Sequence, residues 1–159
     1  MASGPERLQA ALDALGLDIR VIRVPGTAKT AAQAADAVGC PVGAIVKSLV
    51  FVAGDAPALV LCPGDRRVDT ARVAALCGVA TARMAPPEVV RAATGYAIGG
   101  VPPLGHVTSL PIYMERALLA QPLVYAAAGA PDALFPIEPA RLQAVTGAEV
   151  VDVTEPPAS

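Results

Sequence analysis

Ile45-Val46-Lys47-Ser48-Leu49-Val50-Phe51-Val52, then Gly54-Asp55-Ala56-Pro57, then Ala58-Leu59-Val60-Leu61-Cys62, is the stretch whose reading decides the fold of this chain. Two apolar runs flank a turn-forming segment, the pattern of a β-hairpin. The first run reads as a buried strand broken by one residue, Lys47. There are two lysines, Lys29 and Lys47, against ten arginines, and nothing acidic lies within seven residues of Lys47 on either side. A charged amine is costly to hold in apolar surroundings unless something pairs with it. A partner therefore has to come from elsewhere in the fold or from a ligand; otherwise the side chain snorkels from a sheet edge with its head in water.

Working toward the N-terminus, Gly39-Cys40-Pro41 ends a helix that Thr30 caps, with Gln33 completing a capping box. Pro25-Gly26 turns the chain, and Asp18 to Val24 alternates as a strand. A first helix fits Pro5 to Leu15, with Ser3 and Glu6 at capping-box spacing and Gly16 as its stop. Toward the C-terminus, Pro63-Gly64-Asp65 breaks the hairpin. Asp69 caps a helix to Cys77, Val79 to Met84 reads as a short strand, and Pro86-Pro87-Glu88 opens a helix ending at Thr94-Gly95. Gly95 to His106 is too rich in Gly and Pro for regular structure. Strands follow at Pro111–Met114, Leu123–Ala127, Ala133–Ile137 and Glu149–Val153, with a short helix near Glu115–Leu119 and a last helix between Glu138-Pro139 and Gly147. Interleaved strands and helices with a hairpin predict an α/β fold: a single mixed-sheet domain with surrounding helices, over residues 1–153, with 154–159 as a disordered tail.

The chain has 159 residues, 54% of them hydrophobic, enough for one domain with its own core. No apolar run is long enough for a membrane span. The N-terminus lacks the basic and apolar regions of a signal peptide. Cys40, Cys62 and Cys77 read as reduced, buried thiols, so a cytoplasmic location is expected. A net charge of −2 argues against a broad nucleic-acid grip, and no DNA partner is expected. It leaves room for a small patch from Arg66, Arg67, Arg72, Arg83 and Arg91 that holds one end of an RNA.

His106 is the single histidine and has no Cys or acid at metal spacing, so neither a metal nor any other cofactor is expected. There is no nucleophile elbow, P-loop or dinucleotide fingerprint. What remains is a lysine on a strand and the loop Gly99-Gly100-Val101-Pro102-Pro103. Glycines let a backbone approach a ligand closely, and exposed N–H groups can bind a developing oxyanion without a catalytic side chain. The plainer reading is a surface turn.

The order of the pieces adds to this. Thr30-Ala31-Ala32-Gln33-Ala34-Ala35-Asp36, the Lys47 strand, Pro63-Gly64-Asp65-Arg66-Arg67-Val68-Asp69 and Thr94-Gly95-Tyr96-Ala97-Ile98-Gly99-Gly100-Val101-Pro102-Pro103-Leu104-Gly105 together resemble the YbaK/ProX family of aminoacyl-tRNA editing domains, over about Thr27 to Asp152. The resemblance implies a free-standing deacylase that hydrolyses the ester of a small wrong amino acid (Ala, Cys or Ser) on mischarged tRNA, commonly proline tRNA. It implies partners too: the acceptor end of that tRNA and a prolyl-tRNA synthetase. It places the family lysine on Lys47 and the family glycine loop on Gly99 and Gly100, with Thr30, Ser48, Val101, Pro103 and His106 as pocket neighbours. Departures fall at Ser48, where the family usually has Thr, at Ala130-Pro131-Asp132-Ala133, where it commonly has a basic residue and a second Gly, and after Gly105. Two rival readings stay open: a non-catalytic module that binds a synthetase or an aminoacyl-adenosine-like ligand, and a hydrolase of other small esters.

Overall fold

The computed structural model describes residues 2–26 and 28–156. The predicted hairpin is present and longer than expected: β2 (Ile45–Ala53) pairs antiparallel with β3 (Ala56–Pro63) along its full length. With β1 (Ile22–Arg23), β4 (Ala82–Met84), β5 (Ile112–Glu115), β6 (Val124–Ala127), β7 (Ala133–Ile137) and β8 (Glu149–Val151), it forms one mixed sheet in the order β1-β7-β6-β2-β3-β5-β8. The pairs β2–β6, β3–β5 and β5–β8 are parallel, and the others are antiparallel. β4 lies off the main path and pairs with β2.

Both faces of the hairpin are covered. Val46, Val50, Leu59 and Leu61 share one face, where they join a core with Leu8 and Leu12 of α1 (Gly4–Ala14), Val90 of α4 (Pro87–Thr94) and Leu142 of α5 (Pro139–Thr146). Alternation sends Ile45, Lys47, Leu49 and Phe51 to the other face. There Ile45 packs with Ala34 and Ala35 of α2 (Ala31–Val38), and Phe51 with Val73 of α3 (Thr70–Cys77).

The helices start where their caps dictate. Ser3–Glu6 and Thr30–Gln33 form reciprocal capping boxes. Asp69 accepts from the N–H groups of Ala71 and Arg72, and Gly78 stops α3.

Three expectations are corrected. Asp18–Val24 contributes only Ile22–Arg23 as strand. The amide of Gln9 on α1 donates to the Ile19 carbonyl (2.8 Å) and accepts from the Val21 N–H (2.9 Å), so a side chain takes the place of a neighbouring strand. Val79 is not strand either; its N–H caps the end of α3 by donating to Ala74. Thr154, expected in a frayed tail, is buried, bridges to Val68 and donates its N–H and hydroxyl to Glu115. Glu155 follows with an N–H bond to the Arg67 carbonyl, so the order reaches past the expected boundary; 157–159 lie outside the described residues. Cys62 is buried as expected, whereas Cys40 and Cys77 are half-buried, and all three are free thiols.

Candidate functional site

The sheet forks at β2. One edge of that strand is fully paired with β3. The other edge is shared: Ile45 and Val46 pair with β6, and Phe51 to Ala53 pair with β4. Ala85 donates its N–H to the Val50 carbonyl, which closes the β4 side of the fork. Between the two neighbours, Lys47, Ser48 and Leu49 face an opening rather than a strand. A cavity of about 290 Å³ occupies it, lined also by Ala28, Lys29, Thr30, Ile98, Gly99, Val101, Ala127 and Pro131. Its size lies near the lower end of small-molecule sites.

Lys47 is half-buried beside Cys62, its cross-strand partner. Its Nζ donates to the Arg66 carbonyl at 2.9 Å and makes no ion pair among the described residues. The acceptor sits on the Pro63-Gly64-Asp65-Arg66 turn, and Gly64 is what lets that turn close: a Cβ there would stand 2.7 Å from the Val42 carbonyl oxygen and 2.8 Å from Ala31 Cβ. Cys62 directs its thiol at the same Arg66 carbonyl, 3.5 Å away. Burial pushes this thiol up to about 11, against the opposing pull of Lys47, so Cys62 stays protonated at neutral pH and is a poor nucleophile.

The Gly-Pro loop is tied down from several sides. Thr94 donates its hydroxyl to the Val90 carbonyl (2.7 Å) and accepts the Tyr96 N–H (3.1 Å). Arg7 on α1 donates to the Gly95 carbonyl (2.9 Å) and lies 4.4 Å over the buried Tyr96 ring. Thr94-Gly95-Tyr96 is therefore an anchor. Gly99 follows at the cavity with φ +92. Gly100 turns inward, donating to the Ala97 carbonyl and accepting from the Gly129 N–H, both at 3.0 Å. A Cβ on Gly100 would stand 2.8 Å from the Ala130 backbone, so glycine is needed there for close approach.

Of the residues named from the sequence, Lys47, Ser48, Thr30, Gly99 and Val101 come together at the cavity, and Gly100, Pro103 and His106 do not line it. The Gly100 N–H is engaged by the Ala97 carbonyl in its own turn. The Gly99 N–H has no backbone acceptor among the described residues, which leaves it available. His106 places Nε2 2.7 Å from the Pro102 carbonyl, so this nitrogen carries the proton. Burial holds the imidazole below its usual value despite that bond. Sequence reasoning missed Lys29 and Pro131. The signal for Lys29 was the scarcity of lysine: both lysines of the chain line one cavity. Pro131 falls in a segment noted only as a departure. Among the described lining residues there is no carboxylate and no imidazole. Nor does any group of three or more His, Cys, Asp or Glu among the described residues stand close enough to hold a metal ion.

A mixed sheet that forks around a lysine-bearing cavity, roofed by a pinned glycine loop, defines a small α/β pocket domain. Residues 26–145 match the model of the aminoacyl-tRNA editing domain, and the chain belongs to that family. A crystal structure of a candidate trans-editing enzyme for prolyl-tRNA synthetase superposes with a TM-score of 0.93 at 46% identity, covering 98% of this chain and 99% of that one. YwhH of Bacillus subtilis, an uncharacterized protein, is 32% identical over 126 residues, 78% of this chain and 80% of its own length. EbsC of Enterococcus faecalis, a candidate Cys-tRNA(Pro)/Cys-tRNA(Cys) deacylase, is 25% identical over 126 residues, 79% of this chain and 77% of its own. The proline–tRNA ligase of Nitratidesulfovibrio vulgaris is 34% identical over 84 residues, which is 53% of this chain but only 14% of the ligase.

Proposed function

We propose that this chain is a metal-free aminoacyl-tRNA deacylase that acts in trans, removing a small wrong amino acid (Ala, Cys or Ser) from proline tRNA. The observation that carries the reading is Lys47 at the fork. Its ammonium rests on one neutral carbonyl and keeps donor capacity for a ligand. It would orient the terminal adenosine and the ester it carries, with Lys29 at the rim toward phosphate. The Gly99 N–H would stabilise the oxyanion as water adds to the ester carbonyl, and the ribose oxygen would leave with a proton. No side chain among the described lining residues is suited to general-base work, so the base would be a substrate group or a second water. The choice of Ala, Cys and Ser rests on the family resemblance, since a cavity of about 290 Å³ has room for larger side chains as well. EbsC and the solved neighbour lend support through the tRNA and synthetase in their names.

The test is deacylation of proline tRNA charged in turn with Ala, Cys, Ser and Pro. The reading expects hydrolysis of at least one of the first three, with prolyl-tRNA spared. Rates at the spontaneous level for all three would replace it with the binding-module reading.

A further inference from the structure

Glu115, at the end of β5, is the one charged residue among the described ones that is buried, and the chemistry above makes no use of it. A buried carboxylate has to be compensated by hydrogen bonds, so where those bonds lead shows what it serves. Its Oε2 accepts from the Ala117 N–H (2.7 Å), a local turn bond. Its Oε1 accepts from the C-terminal segment: the Val153 N–H (3.1 Å), the Thr154 N–H (3.2 Å) and the Thr154 hydroxyl (2.9 Å). That segment in turn is laced to residues 67–69. Val68 bridges to Thr154, Asp69 donates its N–H to the Val153 carbonyl (2.9 Å), and Glu155 donates its N–H to the Arg67 carbonyl (2.8 Å).

Arg66 completes a path from this carboxylate to the site. Its guanidinium donates to Thr154 Oγ1 (3.3 Å), the same hydroxyl that donates to Glu115. Its carbonyl accepts from Lys47 Nζ (2.9 Å) and faces the Cys62 thiol. The register explains how one residue reaches both ends. Lys47 lies opposite Cys62, and Leu61 opposite Met114, so Cys62 stands beside Glu115 and the three share one sheet face. Two strand spacings, about 10 Å, separate Lys47 from Glu115, too far for an ion pair. Arg66 lies across this row as a crossbar, tied by its side chain at the Glu115 end and by its carbonyl at the Lys47 end. The Lys47 ammonium has no other hydrogen-bond partner among the described residues, so the direction of that carbonyl sets where it points. Resting on the reading of Lys47 as the group that orients the substrate, we propose that Glu115 is a positioning residue for Lys47, acting through Thr154 and the Arg66 carbonyl.

The test uses the scarcity of lysine. With Lys29 and Lys47 the two lysines of the chain, the full protein labelled at lysine Cε gives two NMR signals, and Lys47→Met identifies its own. A Lys47 held in one direction should show two distinct Hε resonances in the parent. Thr154→Val keeps the shape and removes the hydroxyl link; Glu115→Gln keeps the shape and removes the charge. Each variant, confirmed folded by its melt, should merge the Lys47 pair and leave Lys29 unmoved, and Thr154→Ser should restore the parent pattern. Single-turnover hydrolysis of alanyl-tRNA(Pro) at saturating enzyme should fall about tenfold or more in the first two variants, the scale of a displaced contact, and recover in Thr154→Ser. A Lys47 pair already merged in the parent, or unmoved in both variants, would overturn the proposal. So would equal changes at Lys29 and Lys47, which report general loosening, or a freed Lys47 with parent-like turnover. A Lys47 freed by both variants in a chain whose parent does not hydrolyse alanyl-tRNA would instead sink the deacylase reading and leave the link from Glu115 to Lys47 standing.

Discussion

At the scale of the residue, Lys47 is held lightly. One carbonyl bond contributes little net once the cost of taking the ammonium out of water is counted. Lys47→Met, which keeps the apolar stem, should therefore shift the melting temperature by less than about 4 °C. A thermal scan showing a fall of about 10 °C or more would make the lysine a structural residue. The two loop glycines should separate from each other. Gly100→Ala drives a methyl into the Ala130 backbone, so it should lower stability by about 1–3 kcal/mol and loosen the cavity roof. Gly99→Ala meets nothing nearer than Pro131 Cγ at 3.6 Å, and its cost is the φ of +92. It should lose about 1–2 kcal/mol while slowing single-turnover deacylation. Melts and rates measured side by side check this; a larger stability loss at Gly99 than at Gly100 would contradict it. Lys47 was legible in the sequence because an isolated amine in an apolar strand is a chemical anomaly. Which of the Gly99 and Gly100 N–H groups is free was not legible, because the direction of an N–H follows from the turn it closes, and composition does not encode that. His106 was named as a pocket neighbour on the family resemblance; the loop turns it back onto the Pro102 carbonyl.

At the scale of the element, Glu115 ends β5 and starts the short 3₁₀ turn Arg116–Ala120. It accepts from the N–H groups of Ala117, Val153 and Thr154 and from the Thr154 hydroxyl, and so ties the C-terminal segment to the sheet. Burial works to raise its pKa, but these donors together outweigh burial and hold it below the usual carboxylate value. A depressed folded pKa means the stabilisation is complete above the unfolded value and is lost as pH falls through the folded one. Denaturation measured from pH 7 down to pH 3 should show parent stability falling across the carboxylate range. Glu115→Gln should start about 1–3 kcal/mol lower and show a flatter acid limb. An unchanged acid limb in the variant would remove Glu115 from the account. Helices proved more legible than strands. Asp69, Thr30 and Ser3 announce their caps locally, and the structure starts α3, α2 and α1 one residue after each. Strand extent depends on a neighbour, and for Asp18–Val24 the neighbour is the distant Gln9 amide. The fork, too, arises from which strands flank β2, a fact of topology invisible in any one segment.

At the scale of the whole molecule, the grip on RNA should be small. Arg66 donates to Thr154, and Arg72 is engaged by Asp69 and Asp152, which leaves Arg67, Arg83, Arg91 and Lys29 as the readiest phosphate contacts. Each phosphate neutralised adds roughly −0.9 to the log–log salt slope on duplex, so the slope for tRNA should not exceed about 4 in magnitude. A titration of affinity against salt gives it directly, and a steeper slope would mean a wider footprint. Chelators should leave turnover untouched, since one histidine and three scattered cysteines cannot build a usual catalytic zinc shell; activity lost in EDTA and restored by metal would contradict that. The most direct test of the central claim is single-turnover hydrolysis of alanyl-tRNA(Pro) by the parent and by Lys47→Met, each confirmed folded. The account predicts turnover above the spontaneous rate for the parent and a loss of about 10²-fold or more in the variant, the scale of removing one preorganised electrostatic contact. Parent-like turnover by a folded Lys47→Met would contradict it.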